Sequence, residues 1–567
     1  MATTTETDSA KPETETKSEK PESESTPPQS AESDGTSDPG AAQAWTMDTS
    51  DFPKPKALAA IMIGLFLAMF TNNLDATIIA TAIPYITDDF KTIQDVAWYV
   101  SATFLTFAAF QSTWGKALKY FPIKQTFLLA LFIFELGSLI CGVAPNSTAL
   151  ILGRAIAGAG GAGVSSGVFS LIAFSAPPPQ VPAYMGGVGA TYAIAALLGP
   201  LLGGVLTQHA SWRWCFYLNL PFGAVTAIVV FFFYKTPAAS RYALNTPFKE
   251  KMLQMDIVGS ILIMAGVTCY ILAFQWAGIS KSWSDSSVIG CIIGFGLITI
   301  AFAINEWKMG HRALLQPHLI KNRRIWSNCV HVFFIAGGFF VLIYYTPIYF
   351  QSIKNTTPLE SGVRNLPIII GCFFSIMAGF IVAVYGLLWA PLMAGGAALA
   401  TIGCGLIYTW DINTNAGCWI GYQALTGIGT GLAMQIPIMA NQAIVAVEDM
   451  SSVMAMTLFF QIIGGSFCVS AAQAAFANTM LRTLATTAPG VDPEQVLNMG
   501  ATQLHEVFSP EQIPGILDAY MAGLKVVFAL AIALVGLSFV FTLVPKWNHL
   551  RPGQGKEKKK TDGANAA

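Results

Sequence analysis

Apolar stretches recur throughout this 567-residue chain. Each runs for about 18 residues or more, enough to cross a hydrocarbon layer roughly 30 Å thick. In lipid every backbone polar group must be satisfied within the protein, so such stretches are helices. The pattern predicts spans over 57–82, 97–114, 125–144, 148–172, 184–207, 216–234, 257–276, 288–304, 326–350, 363–385, 389–410, 419–440, 452–475 and 521–544. Composition points the same way: 53% of residues are hydrophobic and 11% charged, where an average soluble domain carries roughly 25% charged residues. The expected fold class is an all-α membrane protein with fourteen transmembrane helices, and one membrane domain takes nearly everything from Ala57 to Pro545.

The basic residues set the expected orientation. With the N-terminus in the cytoplasm, 23 of the 31 lysines and arginines fall in cytoplasmic segments and seven on the other side. Arg154 alone is left inside the membrane. This bias follows the positive-inside rule and favours an even span count with both termini inside. Twelve spans would demand that two segments be demoted, 257–276 and 288–304 being the natural pair. Residues 1–52 hold twelve of the 32 acidic residues and little apolar surface, so they read as a disordered cytoplasmic tail. The tail 546–567 is basic, ending in Lys556, Lys558, Lys559 and Lys560, and is either a solvated charged tail or one drawn weakly to anionic lipid. The first span follows some fifty polar residues, so no cleaved signal peptide is expected. The external loop 476–520 is long, and Asp492 before Pro493 has the pattern of a helix N-cap with proline at the first helical position.

Several function classes drop out. A net charge of −1 supplies no field for nucleic acid. The nine cysteines are scattered without a CxxC or Cys/His cluster, so no metal site is expected. Cys215 and Cys418 lie in loops on the same expected side, which leaves a disulfide between them open. No GxxxxGK[ST] loop serves ATP, no HExxH or GxSxG motif indicates an enzyme, and no cofactor is implied. The run Gly158-Ala159-Gly160-Gly161-Ala162-Gly163 formally fits GxGxxG, but it lies in an apolar helix with no preceding strand. Small residues there, as in Gly163-xxx-Gly167 and Gly199-xxx-Gly203, let helix backbones approach closely. Pro200 removes one helical hydrogen bond in the same region.

The chemistry rests on the few intramembrane charges. Asp75 lies deep in the first span, within Asn72-Asn73-Leu74-Asp75-Ala76-Thr77. A charged carboxylate is costly in low dielectric, and intramembrane carboxylates face a bundle interior or cavity and often relay protons. Arg154 lies early in the descending fourth span and Asp75 late in the ascending first, so the two can pair in the outer half of the membrane. The pair is either a proton-operated switch or a permanent buried salt bridge. Glu135, near the middle of the third span, is either a second titrating site or a neutral glutamic acid bonded to a neighbouring helix.

Four stretches carry a family resemblance. Leu74-Asp75-Ala76-Thr77-Ile78-Ile79-Ala80-Thr81-Ala82-Ile83-Pro84, Leu150-Ile151-Leu152-Gly153-Arg154-Ala155-Ile156-Ala157-Gly158, Gly199-Pro200-Leu201-Leu202-Gly203-Gly204, and Trp212-Arg213-Trp214-Cys215-Phe216-Tyr217-Leu218-Asn219-Leu220-Pro221 occur in this order. They resemble motifs of the fourteen-span drug:proton antiporter branch of the major facilitator superfamily, especially its fungal toxin-efflux members. The resemblance implies a role for Arg154 in proton transfer and an antiporter motif at Gly199, Pro200, Gly203 and Gly204. It also implies two six-helix halves, 53–235 and 326–545, with a linker at 236–325 that inserts two further spans. Such halves enclose a cavity near the midplane. One motif departs: the loop usually reading G-x-L-a-D-r-x-G-r-k is Gly115-Lys116-Ala117-Leu118-Lys119-Tyr120-Phe121-Pro122-Ile123-Lys124. Lys119 replaces the Asp on which a cytoplasmic latch would rely, and Pro122 replaces the second Gly.

Together these readings predict a monomeric plasma-membrane exporter that exchanges protons for small, neutral or weakly charged, partly apolar organic compounds. The cavity-lining candidates are Asn72, Asn73, Gln111, Tyr344, Tyr345, Gln435, Asn441 and Gln461. A vacuolar amino-acid or siderophore carrier is the alternative transporter reading, and a non-transporting receptor or scaffold the alternative class.

Overall fold

The computed structural model describes residues 52–90, 96–177, 180–236, 246–374, 389–446, 449–498 and 504–544. The expectations for the two charged tails lie outside these residues. The long helices are α1 (Pro55–Phe90), α2 (Val96–Tyr120), α3 (Ile123–Val143), α4 (Ser147–Ser175), α5 (Val181–His209), α6 (Asn219–Phe233), α7 (Ile257–Trp276), α8 (Ser286–Met309), α9 (Arg323–Ser352), α10 (Trp389–Tyr408), α11 (Ala416–Met434), α12 (Ile436–Ala443), α13 (Met450–Thr487) and α14 (Ile513–Thr542). Residues 366–374 are helical too. A single bridge, Ala277 to Lys281, is the only β-type pairing among the described residues.

Local sequence fixes several helix starts. Asn146, Asp256, Asp285 and Asn415 accept the backbone N–H of Ala149, Gly259, Ser287 and Cys418. Each satisfies a donor that the first helical turn would leave unpaired. A short helix, Pro493–Asn498, follows Asp492 as its sequence predicts.

Eleven helical stretches among the described residues are long and apolar enough to cross a membrane. They coincide with eleven of the fourteen expected spans. The other three differ for separate reasons. The 97–114 segment is helical within α2 but less apolar than the others, and its Gln111 and Ser112 are buried by neighbouring helices rather than exposed to lipid. The 363–385 segment lies partly outside the described residues. The 419–440 segment divides at Gln435 into α11 and α12, because Pro437 cannot continue the preceding helix. Several helices also overrun their expected ends, α13 the furthest. α13 continues to Thr487 through an alanine-rich run, Ala471 to Thr487, that contains no glycine or proline to stop it. Its 38 residues extend about 57 Å at 1.5 Å per residue, well beyond a hydrocarbon core.

α1 to α6 pack chiefly on one another, and α9 to α14 do the same. The paired α7 and α8 sit between these groups in the chain, and α7 touches both α2 and α13. α8 buries only Val288, leaving Ile289, Ile293, Leu297 and Ile300 exposed. A soluble protein would not tolerate such a face, whereas hydrocarbon solvates it. At the end of the bundle where α2 closes, one continuous core joins Phe127, Val164 and Val168 to Ile325, Ile438, Val453 and Met454. Close helix approach depends on small residues: a Cβ at Gly199 would lie 2.3 Å from Thr77 Oγ1, so α5 meets α1 only with glycine there. Gly163 and Gly167 press in the same way on Ala130 and Phe127, whereas Gly204 has open space beside it. α5 remains helical through Pro200. All nine cysteines are free thiols, so Cys215 and Cys418 are not bridged.

Candidate functional site

Asp75 projects from α1 and Arg154 from α4, and their side chains are 2% and 1% exposed. Arg154 donates from Nη1 to Asp75 Oδ2 at 2.6 Å. The pair is held from all sides. Arg154 Nε donates to the carbonyl of Tyr99 at 2.9 Å, and its guanidinium lies over the Phe216 ring, 5.8 Å from the centroid. Asn219, the first residue of α6, donates from Nδ2 to Asp75 Oδ1 and to Ser138 Oγ, both at 3.1 Å. Five helices and the turn Trp214–Tyr217 thus meet at one charge pair. Its Coulomb attraction is strong in this setting, but each ion also loses hydration, so its net stabilisation depends on these extra hydrogen bonds.

Glu135 lies beside this pair on α3. Both carboxyl oxygens are shielded from solvent and make no hydrogen bond. A Cβ at Gly223 would lie 1.9 Å from Glu135 Oε1, so α6 has space for this carboxyl only because residue 223 is glycine.

A cavity of about 600 Å³ lies between the two helix groups, away from the end where α2 closes. Its walls carry Ile83, Ser101 and Phe104 from the first group and Phe340, Tyr344, Tyr345, Ser466 and Gln473 from the second. Ile271 and Gln275 of α7 complete one side. No charged side chain lines it among the described residues.

The candidate cavity residues separate accordingly. Tyr344 and Tyr345 line the cavity. Asn72 and Gln111 instead donate to Ser165 and Ser166 of α4, at 3.1 and 2.7 Å. Asn441 is fully buried, accepting from Asn328 at 2.8 Å and donating to Thr457 at 3.0 Å. Asn73 keeps a buried, unbonded Nδ2, Gln435 marks the helix break, and Gln461 is half-buried next to the cavity residue Ile462. Asn72, Gln111 and Asn441 thus bind helices together rather than line the cavity, because a polar group in an apolar bundle takes the nearest partner. Sequence reasoning missed Asn219 and the α7 residues. Asn219 was visible only as part of a motif, and α7 has no charge that would mark it as cavity-lining.

The altered loop has its own geometry at the closed end. Lys119 Nζ lies 2.6 Å from Asp449 Oδ1, and His318 Nε2 lies 2.9 Å from Asp449 Oδ2. Burial opposes ionisation of Asp449, but the His318 hydrogen bond and the Lys119 charge outweigh it and hold its carboxyl at about 2. Lys116, nearly fully buried, donates to the carbonyl of Arg312 in the segment after α8.

A multi-pass helical bundle with a buried ion pair and a cavity between two helix groups has the build of a membrane transporter. This chain belongs to the Major Facilitator Superfamily, whose sequence profile it matches over residues 65–469. It is 48% identical to the MFS-type transporter grgE of a Penicillium species, over 89% of each chain. It is 46% identical to the probable efflux pump gsfJ of Penicillium aethiopicum, covering 88% of this chain and 89% of that one. The MFS-type efflux pump MFS1 of Arthroderma benhamiae shares 41% identity, over 87% of this chain and 92% of its own. Among solved structures, the proton:xylose symporter XylE superposes with a TM-score of 0.58 at 12% identity, covering 89% of this chain and 99% of that one. That likeness concerns the fold alone. The protein is therefore a multi-pass membrane transporter and not an enzyme, related to fungal efflux pumps.

Proposed function

We propose that this protein exports small, neutral, partly apolar organic compounds in exchange for protons, by alternating access. The observation that carries the reading is the Asp75–Arg154 pair, buried beside the unbonded Glu135. A proton arriving from outside neutralises Asp75 and frees Arg154, substrate leaves outward, and the proton is released inward. One proton crossing ~150 mV gains roughly 3.5 kcal/mol. One pH unit adds about 1.4 kcal/mol. Together these sustain a gradient of a few thousandfold.

The uncharged cavity supports a neutral substrate, since a basic compound would gain from a carboxylate in the wall. The positive-inside distribution supports fourteen spans arranged as six, two and six, with both termini in the cytoplasm. The closed end then faces the cytoplasm. We assign the protein to the plasma membrane, acting as a monomer without ATP.

The test is export from proteoliposomes with an imposed pH gradient, using a panel of neutral lipophilic compounds. Wild-type protein concentrates at least one compound against its gradient, and an uncoupler or Asp75→Asn abolishes this. Concentrative export that survives both treatments would sink the proposal.

A further inference from the structure

α3 and α6 lie side by side in opposite directions, and two residues of each face one another. Ser138 and Glu135 are one turn apart on α3, and Asn219 and Gly223 are one turn apart on α6. Asn219 bonds Ser138, and Glu135 packs on Gly223. The Glu135 carboxyl is therefore the rung next to Asn219. Three shielded acceptors gather here without a donor: both Glu135 oxygens and Asn219 Oδ1. Asn219 itself is fully buried, and its Nδ2 is already committed to Asp75 and Ser138.

Charge counting gives the same result. Arg154 and Asp75 cancel, and Asp75 accepts two hydrogen bonds as a carboxylate. The side chains of Tyr99, Cys141 and Cys215 around them bring no positive charge to the cluster. A second ionised carboxylate would leave the cluster with an uncompensated buried charge. One proton on Glu135 removes that charge and supplies the missing donor.

We propose that Glu135, rather than Asp75, holds the coupled proton while Asp75 is paired with Arg154, and that Asn219 is the positioning residue linking the two carboxyls. The proposal rests on the proton-exchange reading and divides its labour. Transfer of the proton from Glu135 to Asp75 conserves the charge of the site: Glu135 becomes the carboxylate, Asp75 the neutral acid, and Arg154 loses its anionic partner on α1. Two carboxyls sharing one proton titrate as a unit, so neither can be removed without changing the other.

Infrared spectroscopy of the full-length protein in lipid nanodiscs tests this without a substrate. At neutral pH, the wild-type spectrum minus that of Glu135→Gln contains a protonated-carboxyl band. Carbon-13 labelling of glutamate alone shifts that band, a measurement that also works on wild-type protein if the variant folds poorly. Asn219→Ala keeps the band but moves it, because the acid has lost its acceptor. A band that is insensitive to both glutamate labelling and Glu135→Gln would overturn the assignment. So would a subtraction containing only carboxylate stretches. The proton-exchange reading fails separately: if proteoliposomes show no proton-driven export while the Glu135 band is present, the protonation assignment stands and the transport cycle does not.

Discussion

Lys119 and Asp449 meet at 2.6 Å, tying the end of α2 to the start of α13, with His318 on the second Asp449 oxygen. The two helices belong to different halves of the bundle. A lysine thus stands where related loops carry an aspartate, and the opposite charge lies on the other half, so the closed end still has an ion pair across it.

Reversing one charge is expected to weaken this closure and reversing both to restore it. Burial raises the Asp449 carboxyl, but the His318 hydrogen bond and the Lys119 charge outweigh it and hold it at about 2, below the ordinary carboxylate value. Lys119→Asp should lower the melting temperature, and Lys119→Asp with Asp449→Lys should recover most of the loss. Because the folded value lies below the ordinary one, this stabilisation is present above about pH 4 and disappears as pH falls through about 2. Thermal unfolding of wild-type and single-variant protein across that window checks the sign. Equal acid sensitivity in both would argue against the pair.

Gly115 of α2 provides a second, purely steric test of the same closure. A Cβ there would lie 2.2 Å from Ala455 Cβ on α13, and neither atom can rotate away. Gly115→Ala should therefore force the closed end apart, detected as a longer distance between spin labels on α2 and α13. Adding Ala455→Gly should reverse the change. An unchanged distance in Gly115→Ala would show that the contact is not tight.

Asp75→Asn should destabilise the protein more than removal of both charges. The single variant leaves Arg154 buried without an anion, a loss of roughly 3–5 kcal/mol. Asp75→Asn with Arg154→Gln should regain much of that stability while remaining inactive in proton-driven export. Thermal unfolding in detergent, paired with the proteoliposome assay, separates the two roles. A double variant that exported normally would remove the pair from the coupling mechanism.

Gln275 and Ile271 should influence which compounds are exported, since α7 forms part of the cavity wall. Gln275→Leu is expected to change relative KM values across a neutral panel by roughly 10-fold, the scale of one lost hydrogen bond in a binding site. Its maximal rate with the best apolar compound should be largely retained. An unchanged selectivity profile would place substrate elsewhere.

The helices, their approximate limits and the membrane setting were legible because lipid imposes a one-dimensional rule: about twenty apolar residues with few charges. The same rule exposed Asp75, Arg154 and Glu135, since an ion in such a run is conspicuous. The rule is weakest at α2, which is helical as expected but carries polar residues shielded by neighbours, and it missed the break at Gln435, where a proline two residues later interrupts the helix.

Which polar side chains face a cavity and which bind helices together was decided only by the tertiary structure. Gln111 and Tyr344 stood on equal terms in the sequence. Packing gave Gln111 a serine on α4 and left Tyr344 on the cavity wall. Partners far apart in the chain have the same origin: Asn219 on Asp75, Asp449 on Lys119, and Gln275 with Tyr345 on the walls of one cavity. The physical reason is that hydrophobicity is a property of each residue and can be read locally, whereas hydrogen bonds and ion pairs are directional contacts between residues that only the packed helices bring together.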